Sequence, residues 1–437
     1  MKLRALRCIR LFRITKLFFL ILFFGLAVLL SLNFYKTVKL RKDTFVVGSN
    51  WSSHFTQKLQ QPDFKYKINC NLVYELDPVS IGKTLEIKKQ NIVDLKDEEV
   101  KSLTADCDAY RARNHGKYSA VEENDFPIAY SVVVHKDAAM VERLLSIVYM
   151  PQNIYCIHYD KKSSPAFQTA MQNLATCFPN VFIASKLEFV EYGHISRLRA
   201  DLNCLSDLLK SSVPWKYVIN LCGQDFPLKP NFELISELKR LDGANMLETG
   251  RPSDLKKQRF IFHHELQDVH YEYRKIPVKT TASKATPPSG IEVFVGSAYF
   301  VLSHSFVQYT FDSQVTNELL AWLEDTYSPD ETFWATMVRL PGIPGGVPRD
   351  APDITDLQSK TRLVKWDYLE GTYYPPCTGT HQRSVCIYGA AELRWLLNSE
   401  HWFANKFDFR VDPVIIKCLE EKINEKQRKL VMMSSKL

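Results

Sequence analysis

Four times between Phe126 and Leu241 a short apolar, β-branched run gives way to a segment with helical spacing, and nothing else in the chain restricts its fold as tightly. "FPIAYSVVVH" leads into "AAMVERLLSIVYM", where Met140, Leu144, Leu145 and Val148 share one helical face. "NIYCIHYD" precedes "AFQTAMQNLATCF", "VFIASK" precedes "ISRLRADLNCLSDLLKS", and "WKYVINLCG" precedes "NFELISELKRL". Strands joined through helices run parallel, and strands apolar throughout are covered on both faces. The pattern therefore predicts an open α/β sheet with flanking helices. Such sheets bind ligands at the carboxyl ends of their strands. His135, Asp160 and Asp225 fall at or just past those ends, although polar residues are common in such loops for other reasons.

After residue 250 the alternation fades. "EVFVGSAYFVLS" reads as a strand pair or one long strand, and "QVTNELLAWLEDTYSPDETFWATMVRL" as two helices broken at Ser328-Pro329. Ser328 and Glu331 have the spacing of a capping box, with Pro329 at the first helical position. Asp330 and Glu331 would also complement the helix dipole. A carboxylate fixed at a helix start can equally serve as a general base, so capping and chemistry do not exclude each other.

The N-terminus carries a different message. Residues 1–16 hold six basic and no acidic residues, and Leu17 to Phe34 is an uncharged run of 18 residues. That is about the shortest apolar run that crosses a hydrocarbon layer of ~30 Å. The following "SLNFYKTVKLRK" offers no small-residue cleavage site, which favours an anchor over a cleaved signal peptide. The basic tail keeps the N-terminus cytosolic. The expected order is a cytosolic tail (1–16), a single transmembrane anchor (17–34), a stem (35–120) and a lumenal domain (121–437). Much of the net charge of +7 sits in the tail, so nucleic acid is not an expected partner. Asn50-Trp51-Ser52 is a glycosylation sequon in the stem. Ten cysteines without a C-x-x-C pair or a Cys/His cluster point to disulfides in an oxidising compartment rather than to zinc. One is in the tail, and of the remaining nine at least one stays unpaired.

Several chemistries are excluded by missing motifs. The chain has no G-x-x-x-x-G-K-[ST] loop, no G-x-G-x-x-G, no H-E-x-x-H and no G-x-S-x-G. Asp-x-Asp, which would hold a metal on a nucleotide diphosphate, occurs only as Asp106-Cys107-Asp108, ahead of the sheet. A bound diphosphate would need basic side chains instead. Arg383 and Lys406 stand among apolar and aromatic neighbours, where they could equally be surface residues covering apolar area.

Taken in order, "FPIAYSVVVHKD", "NIYCIHYDKKS", "KYVINLCGQDFPLK", "GSAYFVLS", "DTYSPDETFWAT", "SVCIYGAAELRWLL" and "FANKFD" resemble the core 2/I-branching β-1,6-N-acetylglucosaminyltransferases over nearly all of residues 120–410. The resemblance implies a GT-A-type sugar-nucleotide-binding sheet in a type II Golgi membrane protein. It implies transfer of N-acetylglucosamine from UDP-GlcNAc to the 6-hydroxyl of GalNAc in Galβ1-3GalNAc-Ser/Thr, with inversion and with no metal or other cofactor. Glu331 would be the catalytic base. Val133, His135 and Asp160 would hold uridine, and Arg383 and Lys406 the diphosphate. Glu248, Lys256, Arg259, Trp366 and Tyr368 would meet the acceptor. The implied disulfides are Cys70–Cys418, Cys107–Cys177, Cys156–Cys204 and Cys377–Cys386, leaving Cys222 free. Two stretches depart from the family pattern: Gly193-His194-Ile195 replaces a small residue followed by Ser-Trp, and the loop at "TYYPPC" is shorter. Both bear on specificity, so I-branching and a xylosyltransferase-like activity stand as alternatives, beside a catalytically silent glycan-binding protein. Oligomeric state is not legible.

Overall fold

The computed structural model describes residues 65–113, 119–269 and 274–434. The tail, the anchor at 17–34 and Asn50 lie outside them. Among the described residues no helix is long and apolar enough to cross a membrane.

The alternating pattern folds as expected. Strands β1 (Ile128–Val134), β2 (Ile154–Tyr159), β3 (Val181–Ile183) and β4 (Tyr217–Cys222) are separated by helices α1 (Ala138–Val148), α2 (Pro165–Cys177) and α3 (Ile195–Leu209), with α4 (Asn231–Arg240) after β4. β1 and β2 are buried along their whole length, as covered strands must be. Asp137 starts α1 by accepting the Met140 amide, and Ser164 starts α2 ahead of Pro165. The large sheet has the order β3-β2-β1-β4-β9-β6, where β6 is Met246–Leu247 and β9 is Phe300–Ser303. β1 pairs in parallel with both β2 and β4, while β9 runs antiparallel to β4 and β6. After β1 the chain builds outward to β3, then returns to lay β4 on the other side of β1. The crevice at the carboxyl ends of β1 and β4 is the topological switch point.

Two expectations change. Of "EVFVGSAYFVLS", only Phe300–Ser303 joins the sheet, and Val295 forms an isolated bridge to Gly250. The break falls at Gly296, whose amide bonds the Glu331 carbonyl instead of a neighbouring strand. The Ser328 capping box is also absent. Helix α5 (Asp330–Met337) starts from Pro329 with no side-chain cap, and the Glu331 amide bonds the Ser328 carbonyl at 3.0 Å. Ser328 has φ of +48° because its own amide is held by the Gly193 carbonyl at 2.7 Å. Its hydroxyl makes no capping hydrogen bond to the helix.

Three smaller sheets complete the site. β5 (Asp225–Pro227) pairs antiparallel with β13 (Phe403–Asn405), which also pairs with β10 (Leu363–Val364). β7 (Phe262–Val269) and β8 (Arg274–Ser283) form a long ribbon, and β11 (Thr380–Gln382) with β12 (Val385–Ile387) a short hairpin. The four disulfides are Cys70–Cys418, Cys107–Cys177, Cys156–Cys204 and Cys377–Cys386, and Cys222 is free. Cys156–Cys204 pins β2 to α3, and Cys377–Cys386 staples the hairpin. In the stretch read as stem, short helices from Cys70 to Arg113 put Val73, Ile87, Val100 and Tyr110 into the apolar clusters of the sheet-bearing body.

Candidate active site

A cleft of about 670 Å³ opens at the switch point. Six predicted residues line it: Val133 and His135 from the end of β1, Asp160 from the end of β2, Glu331 from α5, Arg383 from the β11–β12 turn and Lys406 just past β13. They span some 270 residues of sequence and are brought together by the large sheet, one helix and two of the smaller sheets.

Each wall has a physical reason for its shape. Asp160 is buried, and one carboxylate oxygen accepts the Lys162 amide at 2.9 Å and the Val190 amide at 3.2 Å, closing the loop after β2. His135 lies at the cleft mouth. Desolvation by the cleft walls, with Lys136 alongside, holds its imidazole below the ordinary value, so at neutral pH the ring offers both a donor and an acceptor.

Arg383 and Ser384 form a two-residue hairpin turn with φ of +53° and +61°. That is the type I′ arrangement, which Asn-Gly fills without strain. Two ordinary L-residues in that region cost roughly 1–2 kcal/mol each, and the Cys377–Cys386 staple holds them there. The Arg383 guanidinium projects over the Tyr192 ring at 5.4 Å. Lys406 Nζ donates to the Gln382 carbonyl at 3.2 Å. Desolvation, then Arg383, then Lys136 among the charges depress its pKa. Neither Arg383 nor Lys406 has an ion-pair partner among the described residues. Cations gathered against their mutual repulsion without an acid between them are arranged for an anion.

Glu331 is paired with Arg259, which also lies over the Tyr327 ring at 5.5 Å. The pair fixes where the carboxylate points. The acceptor candidates do not line the cleft but flank its Glu331 side. Glu248 is half-buried, and desolvation pushes its carboxyl up to about 7 against the pull of Lys256, with Asp356 and Glu331 raising it further. Trp366 and Tyr368 stack with centroids 5.7 Å apart. Trp366 bridges Val385, and the Asp367 amide bonds the Ser384 carbonyl at 2.9 Å. One hairpin thus carries Arg383 into the cleft and supports the aromatic pair beside it.

Asp225, a strand-end candidate, does not reach the cleft. It is fully buried, ion-pairs with Arg362 at 3.1 Å and accepts the Cys222 amide at 2.7 Å and the Asn405 side chain at 2.9 Å. It locks the end of β4 to the strand that delivers Lys406. Cys222 does line the cleft, but burial and Asp225 push its thiol up to about 12, which leaves it a poor nucleophile. Asp106 of the lone Asp-x-Asp caps the helix at Cys107–Arg113, and Asp108 pairs with Arg111.

Sequence reading missed Lys136, Lys275 of the ribbon, Arg197 of α3 and Asp330, all in the lining. For Asp330 the sequence offers a helix start or chemistry without deciding between them. The residue is buried and lines the cleft, and desolvation pushes its carboxyl up to about 6.

A crevice at the switch point, lined by a carboxylate held in an ion pair and by two cations without an ion-pair partner among the described residues, is suited to group transfer from an anionic donor. The model of the Core-2/I-Branching enzyme family matches residues 128–397, and the chain belongs to that family. A Mus musculus protein named beta-1,3-galactosyl-O-glycosyl-glycoprotein beta-1,6-N-acetylglucosaminyltransferase 4 is 59% identical over 427 residues, 96% of this chain and 94% of that protein. A Danio rerio protein of the same name is 62% identical over 376 residues, 85% and 87% of the two chains. The Bos taurus protein of that name numbered 3 is 44% identical over 374 residues, 83% of each.

Proposed function

We propose that the chain is an inverting, metal-independent β-1,6-N-acetylglucosaminyltransferase of GT-A type that forms core 2 branches on O-glycans. The donor is UDP-GlcNAc, and the acceptor is the 6-hydroxyl of GalNAc in Galβ1-3GalNAc-Ser/Thr. The protein sits in the Golgi membrane through an N-terminal anchor with its active site in the lumen. The observation that carries this reading is the convergence of Glu331, Arg383, Lys406, His135 and Asp160 on one cleft at the switch point.

That geometry supports the following reaction. Uridine lies against Val133, His135 and Asp160, and the diphosphate against Arg383 and Lys406. The acceptor stacks beside Trp366 and Tyr368, with Glu248, Lys256 and Arg259 meeting its polar groups. Its O6 attacks the anomeric carbon from the face opposite UDP, and Glu331 takes the proton. The bond from C1 to the β-phosphate oxygen breaks, its electrons leave with UDP, and the configuration inverts. Arg383 and Lys406 stabilise the charge that develops on the leaving diphosphate, the task a divalent cation would otherwise perform.

The test uses the full chain in detergent with UDP-GlcNAc, a Galβ1-3GalNAc-aryl acceptor and excess EDTA. Transfer by wild type and its loss in a folded Glu331→Gln supports the reading. Equal activity in the variant removes Glu331 as base, and a requirement for added metal removes the role given to Arg383 and Lys406.

A further inference from the structure

Asp330 precedes the base and faces the same cleft, yet the reaction above gives it nothing to do. Asp330 is 8% exposed and lines the cleft, and among the described residues its carboxylate has no hydrogen-bond or ion-pair partner other than its own backbone amide. A buried carboxylate in that condition is costly unless something completes it. Arg197, at the start of α3, is its counterpart. One guanidinium nitrogen is bound to Asp201 at 2.6 Å, and the others have no partner among the described residues. Arg197 is also the main positive charge acting on Asp330, although the two form no direct ion pair. A polar group fits between an acceptor and a donor held apart in this way.

We infer that Asp330 and Arg197 grip the sugar ring of the donor, Asp330 accepting from a ring hydroxyl and Arg197 donating to a sugar oxygen. This deepens the proposed function and rests on its donor assignment. A phosphate does not suit the position, since Asp330 would repel it and Arg383 and Lys406 stand ready elsewhere. Nor is Asp330 a second base, because an acceptor arriving from solvent meets the more open Glu331, whose side chain is 37% exposed. The sugar, held between diphosphate and base, is the part of the donor that comes nearest the residue preceding Glu331. The loop that shapes this corner is the one that departs from the family pattern. Gly193 has φ of +69°, and a Cβ there would lie 3.2 Å from the Tyr327 ring. That close approach lets its carbonyl hold Ser328, and so sets the start of α5.

The experiment compares wild type with Asp330→Asn, using the full chain in detergent. It measures KM for UDP-GlcNAc, inhibition by UDP, and the rate ratio between UDP-GlcNAc and its C4 epimer UDP-GalNAc. Because the ionised Asp330 is already disfavoured by burial, the isosteric Asn is expected to fold. KM should rise roughly tenfold to hundredfold, the usual worth of a hydrogen bond to a charged group. Inhibition by UDP, which has no sugar, should stay within about twofold. Deoxy-sugar donors complete the cycle: on wild type, removal of one ring hydroxyl should match the Asp330→Asn loss, and on the variant the same donor should cause little further loss. A variant weakened equally toward UDP and UDP-GlcNAc, or unchanged toward both, overturns the inference while leaving the proposed function standing. No transfer by wild type from UDP-GlcNAc overturns both.

Discussion

The Gly296 amide donates to the Glu331 carbonyl across 2.8 Å, and a Cβ on Gly296 would lie 2.0 Å from the Glu248 carbonyl oxygen. One glycine thus sets the spacing between the proposed base and an acceptor-facing carboxylate. The obstacle is backbone, so it cannot swing aside as a side chain would. Gly296→Ala is expected to displace Glu331 or Glu248 by a fraction of an ångström or more, and a misplacement near 1 Å can cost about 10²-fold in rate. Steady-state kinetics checks this, with thermal melting run alongside to separate loss of activity from loss of fold.

Lys406→Ala is expected to lower kcat by roughly 10²–10³, as removal of one preorganised charge does elsewhere. Added Mg²⁺ or Mn²⁺ should not restore the rate, because neither Lys406 nor Arg383 is paired with a carboxylate among the described residues that could ligate a metal in their place. Inhibition by UDP should weaken, while inhibition by uridine should not. Rate assays with both inhibitors read this directly.

Glu248 titrates near 7 because burial disfavours its charge. It is protonated below that pH and ionised above it. If the ionised form accepts hydrogen bonds from the acceptor sugar, kcat/KM for the acceptor should fall as pH drops through about 7. The profile should flatten in Glu248→Gln, at a uniformly lower value. A pH series at saturating donor measures it.

The turn at Arg383-Ser384 holds two L-residues at positive φ. Ser384→Gly should relieve part of that strain and raise stability by ~1 kcal/mol. Arg383 should stay in place, so the donor KM should change little. Melting temperature and donor kinetics test the two halves separately.

The sheet was legible because its signals are local. "IAYSVVV" and "IYCIHY" are apolar through their length, and each following segment shows its helical face within a dozen residues. The cleft was partly legible, since strand ends are where such folds bind ligands, and His135 and Asp160 were found there. Asp225 misled, because the sequence does not show that Arg362, more than 130 residues later, buries it. Glu331 and its capping box misled differently. Local spacing favours Ser328 as a cap, but its amide donates to the Gly193 carbonyl and its side chain makes no cap. Arg383 and Lys406 resemble ordinary surface residues until two short sheets bring them to one wall. Arg197 is not legible, and neither is the part Asp330 plays, because both depend on which groups the fold turns into one cleft.

The Cys70–Cys418 bond has a mechanical consequence. It joins points 348 residues apart, one in the first described helix and one in the last. A pull transmitted from upstream of Cys70 does not peel that helix away and then unravel the body behind it. The load passes directly into the C-terminal helix, and everything between the two cysteines hangs as a closed covalent loop, shielded from tension. Were the proposed N-terminal anchor to pull on the chain, the active site would lie outside the path of the force.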